Sequence, residues 1–346
     1  MLCLVARIQA RRGTLAESER LLEPAVRLAD SPASLYFVLE ERTALAVLRD
    51  DDARREELCR ELVELCRSIG DRKGEALALE RLAIAMLAHD RYVDASDLLE
   101  RAGTICEEID DRHREASIGA NRAHLNMVLG AFAEAAAGVQ QTLATYEQRR
   151  DYFNALGCVN NLSAIACLMG DADRGRRLAL DALERASRQG SVLYEALAFE
   201  NLAEAERVGG DLPAAIAAME TSLERRRAIG SLLSVGFASA HLAVWHFLNG
   251  SSEIARSLID GVLRSEETVR IGNPWPQDCY WSAAQVYRAL GEPGHARELV
   301  ARAYAMTRER ADKCPDARLR ATFLGLQWHR DIFAAHNEDR WPEPPR

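Results

Sequence analysis

Lysine is almost missing from this 346-residue chain: of 44 basic residues only Lys73 and Lys313 are lysines. A bias that strong reads as a high-GC coding sequence and by itself assigns the arginines no role. The net charge of −9 argues against a general nucleic-acid or anionic-membrane surface. Aromatic residues are 6% of the chain, so small apolar side chains must do much of the packing, which suits closely spaced helices. No apolar run approaches a membrane span, and the run from Met1 to Arg12 is too short, and broken by Arg7, to be a signal peptide.

Catalytic and metal signatures are missing too. None of the eight cysteines (Cys3, Cys59, Cys66, Cys106, Cys158, Cys167, Cys279 and Cys314) forms Cys-x-x-Cys, and no paired histidine spacing joins them into a zinc set. They are expected to be small core residues in a reducing cytosol. The chain holds no Gly-x-Gly-x-x-Gly, no Gly-x-x-x-x-Gly-Lys, no Gly-x-Ser-x-Gly and no His-Glu-x-x-His. Glu107-Glu108 and Glu266-Glu267 read as solvated helix ends, and Arg225-Arg226-Arg227 as cations suited to a helix C-terminus. The expectation is a protein with no catalysis, no cofactor and no metal.

What is present is repetition. Turn residues fall near Gly13, Asp51, Asp90, Gly130, Gly170, Gly210, Gly250 and Gly291, with steps of 40, 40, 40, 40 and 41 from Asp90 onward. A second series runs Gly70-Asp71, Asp110-Asp111, Arg150-Asp151, Gly190-Ser191, Gly230-Ser231 and Gly272-Asn273. Two interleaved turn series with one period mean a repeated helix–turn–helix unit. Small residues recur in three columns: Ala83, Ala123, Ser163, Ala203, Ala243, Ala284; then Ala95, Ala135, Gly175, Ala215, Ala255, Ala296; then Ala102, Thr142, Ala182, Ser222, Val262, Ala303. A larger side chain there is expected to overpack a helix–helix contact at about 1–3 kcal/mol, while Ala205, off the columns, should tolerate one better.

The expected helices are 1–12 and 15–30, 33–49 and 53–69, 72–88 and 91–109, 112–129 and 132–149, 152–169 and 172–188, 192–208 and 212–229, 232–248 and 251–270, 277–290 and 293–311. Pro213 and Pro293 fall in first turns, where a missing N–H costs nothing. Gly272-Asn273-Pro274-Trp275-Pro276 adds residues and predicts a longer loop or bend. Residues 316–336 predict an amphipathic capping helix over the last apolar face. The domain expectation is one array over 1–336, strongest over 72–312, with a mobile tail at 337–346.

The Asn-Leu-small triplets, Gly-Asp turns and paired small columns resemble the tetratricopeptide-repeat family. The 40-residue period is longer than that family's usual unit and is similar to repeats in kinesin light chains and bacterial regulators. The resemblance implies an all-α right-handed superhelical solenoid of about eight helix pairs with a C-terminal capping helix. The closing run Arg318–Leu324 and His329–Ile332 is similar to the ends of C-terminal arrays in bacterial signal-transduction ATPases and transcription regulators. The chain is therefore expected either to be a piece of such a system or to be a small repeat protein in its own right.

In this family the first helices of each pair line a concave groove. There the column Asn121, Asn161, Asn201, His241 recurs, with Arg81, His124, Asn160, Glu200, Glu204, Arg207, Trp281, Gln285 and Arg288 near it. An amide both donates and accepts, so a column of amides can pair with an extended peptide backbone. The other reading is that each asparagine bonds to a neighbouring helix. The family's chaperone clamp uses groove lysines; Lys73 and Lys313 lie elsewhere, so that partner is not expected. The resemblance implies a bacterial, cytoplasmic, regulatory scaffold that binds a protein or peptide, with no nucleic acid or membrane. The alternative is a small-molecule sensor module of a transcription regulator or signal-transduction ATPase.

Overall fold

Each turn of the repeat ends one helix and starts the next with two residues. The first takes the left-handed conformation, as at Gly170 (φ 81°), Gly210 (φ 88°), Asp110 (φ 52°) and Arg150 (φ 57°). The second caps the following helix: Asp71, Asp111, Asp151, Asp171 and Asp211 each accept a hydrogen bond from the backbone N–H three residues on, at 2.9–3.2 Å. The Asp171 and Asp211 N–H groups reach back to Ala166 O and Glu206 O at 2.9 Å, satisfying carbonyls of the helix just ended.

The structure, a computed structural model, describes residues 2–3, 5–6, 15–48, 51–232, 234–270 and 273–342. Their helices are α1 (Leu15–Arg27), α2 (Pro32–Leu48), α3 (Asp52–Ser68), α4 (Arg72–Ala88), α5 (Tyr92–Glu108), α6 (Arg112–Val128), α7 (Phe132–Gln148), α8 (Tyr152–Leu168) and α9 (Ala172–Gln189). They continue with α10 (Val192–Val208), α11 (Leu212–Ala228), α12 (Val235–Leu248), α13 (Ser252–Val262), α14 (Glu266–Arg270), α15 (Pro276–Ala289), α16 (Pro293–Asp312), α17 (Ala317–Leu324) and α18 (Gln327–Glu338). The described residues hold no strand, and no helix among them is long and apolar enough to cross a membrane. The expected helix at 1–12 lies mostly outside the described residues.

The chain forms two compact units, Met1–Leu125 and Asn126–Arg346. In the first, Leu58, Leu62, Leu79, Met86 and Leu99 form the core between α3, α4 and α5. In the second, the core runs from Ala203 through Met219, Trp245 and Tyr280 to Val300. All three small columns are buried: Ala83, Ser163, Ala203, Ala243 and Ala284 are 0% exposed. Ser163 Oγ donates to Gly175 O at 2.8 Å, and Ser222 Oγ to Ala196 O at 2.7 Å, so even the polar members bind the two helices of a pair.

Four local expectations are corrected. Ala205 is as buried as Ala203, because its methyl faces Gly175 of the preceding pair, so it is no more tolerant of a larger side chain. The expected helix 251–270 divides into α13 and α14. Helix α12 starts at Val235, after a left-handed Ser234, and at Gly236 it approaches the Thr268 carbonyl so closely that a Cβ would lie 2.0 Å from it. The capping helix splits into α17 and α18, because Leu326 turns extended (ψ 138°) and seats its side chain against Gly130. A Cβ at Gly130, which is also left-handed (φ 81°), would lie 2.9 Å from Leu326.

That contact closes the second unit on itself. Trp275 Nε1 donates to Val128 O at 3.0 Å, and Arg318 pairs with Glu134, 184 residues earlier, at 2.9 Å. The expected irregular loop is present at 273–275, where the Asn273 side chain holds both Val269 O and the Trp275 N–H. The last two residues described, Trp341 and Pro342, follow α18 after Asp339 and Arg340, and 343–346 of the expected tail lie outside the described residues.

Candidate binding face

Within the second unit the first helices of successive pairs touch one another, α8 with α10 and α12 with α15. Second helices contact the first helices that flank them. The polar column rides on these first helices.

The column is organised by two sequence offsets. At an offset of 41, the side chain of one repeat meets the residue just before its own counterpart in the preceding repeat. Arg81 pairs with Glu40, and Asn121 Nδ2 donates to Glu80 Oε1 at 2.9 Å. Asn201 Nδ2 donates to Asn160 O at 2.9 Å and to Asn160 Oδ1 at 3.3 Å. Glu80 is buried and also receives Arg114 at 2.8 Å and Ser117. Asn160 is buried and its amide donates to Leu156 O at 3.3 Å.

Asn161 departs from this pattern. Asn161 makes no hydrogen bond among the described residues. It is half-buried on α8. His124 is exposed.

At an offset of 37, one helical turn less, a charged chain crosses three repeats. His241 Nδ1 lies 2.7 Å from Glu204 Oε1, and its Nε2 lies 2.6 Å from Asp278 Oδ2. Arg207 donates to Glu204 at 2.8 Å, and the fully buried Arg226 pairs with Glu200. Glu200, Glu204 and Asp278 are thus matched by Arg207, Arg226 and a cationic His241. Burial alone would lower the pKa of His241, but Glu204 and Asp278 outweigh it and raise it to about 10. Burial likewise opposes ionisation of Glu204, but Arg207 and His241 bring its pKa down to about 2. Glu200 is raised by burial, against the pull of Arg226.

Farther along, Trp281 and Gln285 are buried on α15. Trp341 stacks on Trp281 with centroids 5.6 Å apart and planes 21° apart. The Arg288 guanidinium lies 4.5 Å over the Trp341 ring.

The candidate residues do not form one site. Arg81, Asn121 and His124 belong to the first unit. Asn160, Asn161 and Asn201 adjoin on α8 and α10; Glu200, Glu204, Arg207 and His241 form the charge cluster; Trp281 and Arg288 form an aromatic slot. Glu80, Arg226, Asp278 and Trp341 were not singled out from sequence. Glu80 was accessible through the 41-residue offset, which puts Glu40, Glu80, Asn160 and Glu200 in one column. Arg226 read as one of three cations suited to a helix C-terminus, and nothing local marked Asp278 or Trp341.

No protein-family model and no curated protein matches the chain. Solved structures do. It is similar to NprR in complex with its cognate peptide NprX (TM-score 0.64, 14% identity, 96% of each chain covered). A Rap protein complexed with competence and sporulation factor gives TM-score 0.61 at 13% identity, with 98% of each chain covered. The third is a signal-transduction ATPase with a tetratricopeptide repeat sensor, PH0952 from Pyrococcus horikoshii (TM-score 0.58, 17% identity); 92% of this chain matches 48% of that one. At these identities the likeness carries the fold, and the chain is an all-α solenoid of the tetratricopeptide-repeat type.

Proposed function

We propose that this chain is a non-catalytic regulatory scaffold of the bacterial cytoplasm that binds a peptide along the polar column of its first helices. The observation that carries this is Asn161. In the same column Asn121 and Asn201 are spent on neighbouring helices, whereas Asn161 keeps a donor and an acceptor for a peptide backbone. Support comes from the fold: NprR was solved with its cognate peptide, and a Rap conjugation gene regulator of similar fold (TM-score 0.62) with the Phr* peptide.

The test separates the two asparagines. Peptides are captured from the source cell by the full chain, and the one recovered is titrated into variants. Asn161→Ala should weaken binding about tenfold to hundredfold, the cost of roughly 1–3 kcal/mol for an unpaired backbone group, and leave the melting midpoint in place. Asn201→Ala should lower the midpoint. Unchanged affinity in Asn161→Ala overturns the assignment of the peptide to this column. A small metabolite recovered in place of a peptide would favour a sensor module.

A further inference from the structure

Helix α15 carries a slot already filled by the segment that follows α18. Trp281 on α15 is 3% exposed, and the group stacked on it is the indole of Trp341. Arg288, two turns farther along α15, holds the same segment twice. Its guanidinium lies over the Trp341 ring at 4.5 Å, and its Nη1 is 3.7 Å from Asp339 Oδ1. Asp339 in turn accepts from Trp341 Nε1 at 2.8 Å, and its left-handed backbone (φ 49°) ends α18 and turns the chain toward the slot. An indole stacked on a second indole and held by a guanidinium's cation–π contact is bound in a geometry selective for aromatic rings. The carboxylate two residues earlier supplies the charge that Arg288 requires.

We propose that Trp281 and Arg288 form a recognition subsite for an acidic-x-aromatic peptide element, and that Asp339-Arg340-Trp341 occupies it in cis as a built-in competitor. The proposal rests on the peptide-binding reading above and names part of the ligand's chemistry. A tethered tail acts at an effective concentration on the order of millimolar, so a ligand must exceed its affinity or displace it from elsewhere in the groove. Removing the tail's indole should therefore unmask the subsite without touching the asparagine column.

The probe is acetyl-Asp-Arg-Trp-Pro-amide, titrated into the full chain and followed by the indole N–H signal of Trp281 in NMR spectra. In Trp341→Ala the probe should shift that signal and saturate. In the parent chain binding should be at least tenfold weaker, and in Trp341→Ala combined with Arg288→Ala it should be lost. Acetyl-Asn-Arg-Ala-Pro-amide should shift nothing. Equal binding to the parent and Trp341→Ala, or no binding to Trp341→Ala, overturns the proposal. If Trp341→Ala proves unfolded by circular dichroism, Asp339→Ala serves as the second unmasking variant, with the same outcomes deciding. Probe binding fails independently of the Asn161 titration, so the slot and the peptide reading are tested apart.

Discussion

His241, in the middle of the second unit, and His329, in its C-terminal cap, are enclosed side chains, 20% and 0% exposed, yet their protonation is opposite. His241 is held between two carboxylates and stays cationic, its pKa raised to about 10. His329 is lowered to about 4 by burial, with Arg310 adding to the effect. Its Nδ1–H donates to Phe323 O at 2.6 Å, which leaves Nε2 to accept from the Gln277 amide at 2.7 Å. Arg310, on α16, donates to Gln277 Oε1 at 2.6 Å and to Pro274 O at 2.8 Å. Burial therefore does not decide charge here; the partners do. The array is held across repeats by ions in balance, and the cap by a neutral relay around one arginine.

The sharpest way to break this contrast is His241→Leu. It leaves Glu204 and Asp278 facing each other with no cation between them, and should cost about 3–5 kcal/mol in urea unfolding. Arg310→Met attacks the other region. It strands the buried Gln277 carbonyl at about 1–3 kcal/mol, while the Pro274 carbonyl is only half-buried. A loss in Arg310→Met larger than in His241→Leu would reverse the ranking.

The two histidines also set opposite pH limbs. A pKa raised from 6.5 to about 10 adds stability that is complete below pH 6.5 and is lost as pH rises towards 10. A pKa lowered from 6.5 to about 4 adds stability that is complete above pH 6.5 and is lost as pH falls towards 4. Melting midpoints should thus peak near pH 6.5. His329→Gln should flatten the limb between pH 4 and 6.5 and leave the alkaline limb alone; a change on the alkaline side instead would refute the assignment. The smallest effect is expected of Asp278→Asn, which keeps a hydrogen-bonding group but removes one charge. It should move the NMR titration midpoint of His241 down by about 1–3 pH units.

The repeat period, the paired helices, the small columns and the two-residue turns were legible in the sequence. Each depends on residues that recur at one spacing, so every copy reinforces the same reading. Pro213 and Pro293 marked helix starts for a local reason, and both stand in first turns of α11 and α16. The asparagine column was legible as a column, but its division of labour was not. Asn201 is committed because a carbonyl and an amide stand 41 residues earlier, whereas Asn161 makes no hydrogen bond among the described residues.

What only the tertiary structure decided is where the rotation of each helix and the return of the chain place side chains far apart in sequence. The His241 cation exists because α10, α12 and α15 aim Glu204 and Asp278 at one ring, a matter of helix rotation that periodicity leaves undetermined. Arg226 is buried because its stem crosses to Glu200, while Arg225 and Arg227 beside it remain exposed. Leu326 breaks the capping helix because Gly130, far back in the chain, offers a surface without a side chain. Trp341 covers Trp281 only because Asp339 turns the tail back over α15. The sequence by itself determined the repeating unit, since local spacing and small side chains are enough to specify it. The closure of the second unit, the charge on its histidines and the occupant of its aromatic slot depend on contacts between non-equivalent positions, which no repeat pattern encodes.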